Sequence, residues 1–380
     1  MKRMAPVTVG VIALLFWGVG NAAGQGTETV NIGFIAPLTG GVAVVGVDML
    51  EGVKVGAAQV NARGGLKIGD KRYPVNVVSY DDEAKPDKTV AGARKLVSMD
   101  KVNAIVGPPI SSCALALLEL NERLGLLMSC MAMHPDIAKK GNRLVIRPNP
   151  TLAMTAMALA NTIMDKTKHR SFAIIHHTDD WGIGWKTVFA KVIEERGGKV
   201  LVEEGIDEKT QSDFYTQLTK IIGKKPDALF IVAHDTACSL MIKQARELGF
   251  TGSFIFSEGF RERGRKSVGY DKLEGSAWAA LPYDFDTPEV LKFMEEYRKH
   301  LKKEPILNYS PIAYECLMIL AHGMEKAGTV SDPFKIRAAI PAVIPHPESI
   351  WHPYDMGADG QAKSRTFVGI VVKGKSELLR

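Results

Sequence analysis

Side chains able to bind or transform a small molecule recur just past short apolar runs of this chain. They are Ser111 and Ser112, His134, His177 with Asp179 and Trp181, His234 with Asp235, and Glu258. The two serines open a predicted helix, where hydroxyls and unpaired backbone N–H groups can receive a carboxylate. Ser is also a common N-cap, so plain capping is the simpler alternative. Glu258, in Ser-Glu-Gly, can pair with an ammonium group or serve as a surface carboxylate. His134, His177 and His234 could supply three imidazoles to zinc. They come from separate loops without H-x-x-x-H spacing, so hydrogen bonding to a ligand or to solvent is expected and a metal is not. No triad or pair of catalytic carboxylates can be argued from the sequence, so no catalytic residue is assigned and no enzyme activity is expected.

These positions follow from an alternation of strand and helix. Val30–Ala36 is the first strand, and residues 46–61 carry Leu50, Val53, Ala57 and Val60 on one helical face. Strands are predicted at 74–80, 103–107, 126–130 and 143–147, with helices between them. The pattern restarts after Pro148 and Pro150, with strands at Ser171–His177, 200–203, 228–233 and 254–256. Residues 288–340 read as mostly helical and Phe367–Val372 as a late strand. Two such series in 380 residues imply an α/β fold of two Rossmann-like lobes, each a parallel sheet covered by helices. In open parallel sheets ligands bind at the carboxyl ends of the strands, so the polar residues above should meet in a cleft between lobes.

Composition narrows the class. The formal net charge is +6, with charges scattered along the chain, and this excludes a nucleic-acid partner as the expectation. Lys2 and Arg3, an apolar stretch over residues 7–19 and small residues at Gly20, Ala22, Ala23 and Gly24 read as a cleaved signal peptide over residues 1–24. The apolar stretch is shorter than the ~20 residues a membrane-spanning helix needs. The first cysteine is Cys113, so no lipid-anchor cysteine follows the expected cleavage site and a freely diffusing periplasmic protein is expected. Cys113 and Cys130 flank one helix and could bridge after export; separate buried thiols are the plainer expectation for all four cysteines. Two motif matches fail on context. Gly18 to Ala23 fits G-x-G-x-x-A but follows no strand. Gly369 to Ser376 fits the phosphate-loop pattern G-x-x-x-x-G-K-S, but its middle is an apolar strand whose amides should be paired in a sheet.

Several stretches, in order, resemble the leucine/isoleucine/valine-binding protein family of ABC importer receptors. They are GFIAPLTGG at 33–41, the run ending in Asn61 and Gly64-Gly65, Tyr80-Asp-Asp with Pro86, IVGPPISS at 105–112, Gln244-Ala-Arg with Gly249, Glu325-Lys-Ala-Gly, and Asp332-Pro. The resemblance implies a type I periplasmic binding protein fold with three crossovers, near residues 148–151, 279–283 and 355–360. Lobe one would comprise 25–148 and 282–355, and lobe two 149–281 and 356–380. It further implies that Ser111 and Ser112 hold a ligand carboxylate, that Glu258 holds an ammonium group, and that the carbonyl of Ala132 accepts from that group. A monomer would bind an amino acid or related small carboxylate, without a cofactor, and present it to a membrane permease and its ATPase.

The chain departs from the family's pattern at the side-chain pocket. Met131-Ala132-Met133, followed by His134, stands where the family commonly has Ser-Ala-Thr. Trp181 and His234 replace cleft tyrosines, and Val45 replaces an aromatic residue. These exchanges favour a flat aromatic or larger apolar side group. An aromatic carboxylate lacking an amine is the alternative ligand. A sensory receptor on the same scaffold and a secreted metal-dependent hydrolase are the rival functions.

Overall fold

The computed structural model describes residues 28–379 except 135, 140, 209 and 306–308. The expected signal peptide lies outside the described residues. Two large sheets are present, as the repeated alternation predicts, the first wholly parallel and the second mixed. The first contains β1 (Val30–Ala36), β2 (Val75–Asp81), β3 (Ala104–Val106), β4 (Leu127–Ser129) and β5 (Val145–Ile146), in the order β2-β1-β3-β4-β5. Every pairing in it is parallel. α1 (Ala43–Ala62) covers one face, while α2 (Pro86–Ser98) and α3 (Ser111–Leu118) cover the other. Ile32, Phe34 and Ile35 on β1 are fully buried because a parallel strand between two helical layers has no wet side.

The second sheet is built from β6 (Ser171–His177), β7 (Lys199–Ile206), β8 (Ala228–Val232), β9 (Ser253–Phe256), β10 (Ala277–Ala280), β11 (Phe367–Val372) and β12 (Lys375–Leu378). Its order is β12-β11-β10-β9-β8-β6-β7, parallel up to β10 and antiparallel beyond it. α4 (Leu152–Lys166) and α5 (Asp180–Glu195) pack on one face, and α6 (Tyr215–Gly223) and α7 (Asp235–Glu247) on the other. Residues 369–376 form the β11–β12 hairpin, and the turn amides of Lys373 and Gly374 donate to the Glu274 carboxylate, so no phosphate loop exists there. α8 (Pro288–Leu301) and α9 (Ser310–Ala327) return to the first lobe, where α9 joins its core.

Local chemistry explains where elements begin. Thr151 caps α4 by accepting from the Met154 N–H at 3.1 Å, Asp179 caps α5 through the Gly182 N–H at 2.9 Å, and Thr287 with Pro288 opens α8. The loop after β3 turns at Gly107, with φ of 109° and an added Cβ 2.3 Å from the Ile35 carbonyl oxygen. Only glycine fits there.

The chain passes between lobes three times, after Arg147, after Ala280 and before Phe367. The third comes later than the 355/356 boundary expected from the sequence. Met356 and Ala362 are buried in the first-lobe core, and the chain around Gln361 pairs with Arg147 there. That pairing also shortens the predicted strand at 143–147 to two residues, since the Arg147 N–H donates to the Gly360 carbonyl at 2.8 Å. The four cysteines are free and buried, so Cys113 and Cys130 do not bridge. Burial raises the Cys113 and Cys130 thiols to about 11, as expected of inert core thiols. Among the described residues no helix is long and apolar enough to cross a membrane.

Candidate functional site

The carboxyl ends of the strands face one another across a cavity of about 390 Å³ between the lobes. The first lobe contributes Ser111 at the start of α3, Met131 and Met133 after β4, and Val45 and Met49 on α1. Tyr309 and Ile312, at the start of α9, extend that wall. The second lobe contributes Trp181 after β6, His234 after β8, and Glu258 and Arg261 after β9. Leu281 and Arg365 come from two of the passages between lobes.

Trp181 is held on three sides. Its indole stacks on the His234 imidazole with centroids 4.8 Å apart and planes 23° from parallel. Its Nε1–H donates to Glu258 Oε1 at 2.9 Å. Below it, a Cβ on Gly259 would lie 3.0 Å from the Trp181 ring and 2.4 Å from the Ala233 carbonyl oxygen, so the absence of a side chain lets the ring lie flat. His234 is fixed in turn by Glu208, whose carboxylate contacts its Nδ1 and accepts its backbone N–H at 2.9 Å. Burial opposes charge on the His234 imidazole, but the carboxylates of Glu208 and, farther off, Glu258 outweigh it and hold the pKa above its ordinary value.

Two charged groups in this wall are only partly satisfied. Glu258 Oε2 is shielded from solvent and makes no hydrogen bond. The Arg261 guanidinium lies 4.5 Å above the Tyr309 ring and donates only a long bond, 3.5 Å, to Tyr283 Oη. By contrast Arg265, one turn farther along, is paired with Asp284 at 3.0 Å.

The sequence-expected residues divide accordingly. Ser111, Met133, Trp181, His234 and Glu258 line one cavity. Ser112 is exposed on the outer side of the α3 start. Ala132 is buried with its methyl group in the first-lobe core, because successive residues of this extended segment face opposite ways. His134 borders a neighbouring pocket of about 300 Å³ with Ser111, Met133 and Trp181. Its carbonyl accepts from Arg147 at 2.8 Å. His177 is buried beside Asp179 and Asp207, so the three histidines expected near the cleft do not converge. Among the described residues the group able to gather metal-ligand atoms is His322, His346 and Glu348, outside the cleft. Both His346 nitrogens already face carboxylates there, Glu315 at 2.9 Å and Glu348 at 3.4 Å.

Arg261, Tyr309 and Trp351 were not anticipated as wall residues. Arg261 sits only three residues past Glu258 on the same strand exit, and that spacing could have flagged it. Tyr309 belongs to the late helical segment and Trp351 to the loop after it, and neither carries a strand-exit signal.

Comparison with known proteins supplies the relationship. A family model described as periplasmic binding protein matches residues 29–375. The leucine-, isoleucine-, valine-, threonine- and alanine-binding protein of Pseudomonas aeruginosa is 28% identical over 316 residues, covering 83% of each chain. Among solved structures, the branched-chain amino acid transporter substrate-binding protein of Streptococcus pneumoniae in complex with isoleucine superposes with a TM-score of 0.76 at 19% identity, covering 93% of this chain and 99% of that one. An ABC transporter solute-binding protein of R. palustris in complex with benzoate gives a TM-score of 0.74 at 19% identity, covering 93% and 96%. The match from the first strand into the last hairpin places the chain in the periplasmic binding protein family.

Proposed function

We propose that the protein is the solute-capturing receptor of an ABC importer and that its ligand is an α-amino acid held between the lobes. The observation that carries the amino-acid reading is the partnerless, water-shielded Oε2 of Glu258 in the cavity wall. A buried acceptor left empty is costly, and a ligand ammonium group would satisfy it with charge as well as hydrogen bonds. Across the cavity, Ser111 and the first turn of α3 offer a hydroxyl and amides without intrahelical acceptors for the α-carboxylate. Met49, Met131, Met133, Ile312 and Trp351 would surround the side group.

A second reading rests on the stacked Trp181 and His234, whose flat surface suits an aromatic carboxylate without an amine. The benzoate complex of the R. palustris protein makes that class of ligand relevant to this scaffold. In either case the role is binding alone. Because the wall is divided between lobes, a ligand that touches both would shift the population toward a closed form. A monomer in the periplasm, released from its signal peptide, would present that closed form to a permease whose ATPase is a separate subunit.

The test compares amino acids with their amine-free counterparts by thermal shift, on the wild-type protein and on Glu258→Gln. Ligand at ~100 times its dissociation constant adds about 2.7 kcal/mol, a visible shift. Wild type should respond to amino acids and Glu258→Gln should lose that response while amine-free carboxylates change little. Wild-type response to amine-free acids alone, or a Glu258→Gln protein that still binds amino acids as tightly, would exclude the assignment.

A further inference from the structure

An α-amino acid held by Glu258 and the Ser111 turn is a neutral zwitterion, and it leaves the unpaired cation of the second-lobe wall unmatched. Arg261 is fixed at its root, where its backbone N–H donates to Asp235 Oδ1 at 2.7 Å. Its guanidinium is sheathed by the Tyr309 ring and the Tyr283 hydroxyl. No carboxylate of the described residues comes within 4.0 Å of it, although Glu258 lines the same cavity. A guanidinium stays charged at every accessible pH and presents a planar fork of donors, which a carboxylate matches with two parallel hydrogen bonds. Arg246 and Arg337 are satisfied by the protein itself, Arg246 by the Phe250 and Gly252 carbonyls and Arg337 by those of Val145, Gly357 and Ala358. Of the two arginines that line the ligand cavity, Arg365 is exposed to solvent, whereas Arg261 is half-buried with its fork turned to no carboxylate of the described residues.

We infer that the ligand carries a second acidic group, placed on a short apolar spacer, and that Arg261 clamps it. On the amino-acid reading, on which this inference rests, the ligand is an acidic α-amino acid of the glutamate or 2-aminoadipate type. Glu258 takes the ammonium group, the Ser111 turn takes the α-carboxylate and Arg261 takes the side-chain carboxylate. Met131 and Met133 border the spacer. The chemistry differs from that of an aliphatic side group, which would leave a charged fork facing hydrocarbon.

The experiment titrates L-glutamate and L-2-aminoadipate against their neutral counterparts L-glutamine and L-norleucine, on the wild-type protein, Arg261→Gln and Arg261→Lys. Wild type should prefer at least one acidic member over its neutral counterpart. Arg261→Gln should weaken that acidic ligand by roughly 10- to 100-fold, the range for a hydrogen bond to a charged group, and the neutral ones by less than about threefold. Arg261→Lys, which keeps the charge and loses the fork, should fall between the two. Unchanged melting temperatures of the ligand-free variants exclude misfolding as the cause. Preference of wild type for the neutral members, or equal weakening of both classes in Arg261→Gln, overturns the second-anion assignment and leaves the amino-acid reading standing. No response of wild type to any of the four, with a response to amine-free acids, removes the amino-acid reading itself.

Discussion

Removing the carboxylate of Asp284 should destabilise the second passage between lobes more than any single contact in the cleft would. Asp284 Oδ1 lies 3.0 Å from Arg265 Nη2, and both side chains are almost wholly buried. Asp284 Oδ2 accepts from Trp278 Nε1 at 3.1 Å and from the Leu281 N–H at 3.0 Å. The Arg265 guanidinium in turn lies 4.2 Å above the Trp278 ring. Asp284→Ala therefore leaves a buried guanidinium with only the Phe260 carbonyl as its acceptor, and strands two N–H donors as well. Breaking a buried pair on one side costs about 3–5 kcal/mol, and each stranded neutral donor about 1–3, with incomplete additivity. A loss on the order of 5 kcal/mol is expected. Arg265→Met should cost less, because the Asp284 carboxylate keeps both N–H donors and the methionine fills part of the space. Guanidinium chloride unfolding followed by tryptophan fluorescence measures both, with Trp278 as a local reporter. A loss below about 1 kcal/mol for Asp284→Ala, or a larger loss for Arg265→Met, would refute the view that this carboxylate organises the crossover.

Two more outcomes follow from other parts of the molecule. Gly259→Ala places a methyl group 2.4 Å from the Ala233 carbonyl and 3.0 Å from the Trp181 ring, so it should cost about 1–3 kcal/mol of stability and weaken ligand binding together. A variant that binds normally would mean that the Trp181 position does not matter. In the first lobe, burial opposes charge on His346, but the carboxylates of Glu315 and Glu348 outweigh it and raise its pKa to about 9, with His322 and Arg63 sharing Glu348. Its folded value lies above the unfolded one near 6.5, so the stability it adds is complete below pH 6.5 and is lost as pH rises to about 9. That change is about 3 kcal/mol. Unfolding midpoints at pH 6 and pH 9.5 should differ in wild type and converge in His346→Gln; an equal pH dependence in both would refute it.

Much of this architecture is legible in the sequence because parallel strands buried on both faces read as short apolar runs. Val30–Ala36 and Ala228–Val232 are the plainest examples, and the residues soon after several such runs line the cavity. What was hidden has a common cause in separation along the chain. Arg147 bridges to Gln361, and this moved the third boundary and shortened a strand. Glu315 and His346 build a buried ion pair from an α9 residue and a later loop, with no local spacing to announce it. Ser112 is adjacent to a wall residue, yet a one-residue step turns its side chain away. Strand exits can be read from period and composition, whereas the direction of each side chain beyond them is set by tertiary packing.

The division of the wall between lobes limits what kind of ligand could drive closure. Glu258, Arg261, Trp181 and His234 all belong to the second lobe, whereas Ser111, the two methionines and Tyr309 belong to the first. A ligand shifts an equilibrium only by its differential affinity for the two states. An amine without a carboxylate would engage Glu258 and could bind the open form, but it would gain little on closure because it makes no charged contact with the first lobe. Arg261 occupies an intermediate position, since its guanidinium is seated on the Tyr309 ring of the opposite lobe. The sheath around Arg261 therefore already spans both lobes, and the proposed ligand would add to it the contact between the Ser111 amides and the α-carboxylate. Tyr309→Ala separates these contributions. Loss of the ring should weaken an acidic ligand more than a neutral one in the same titration, and equal weakening would show that Tyr309 only packs.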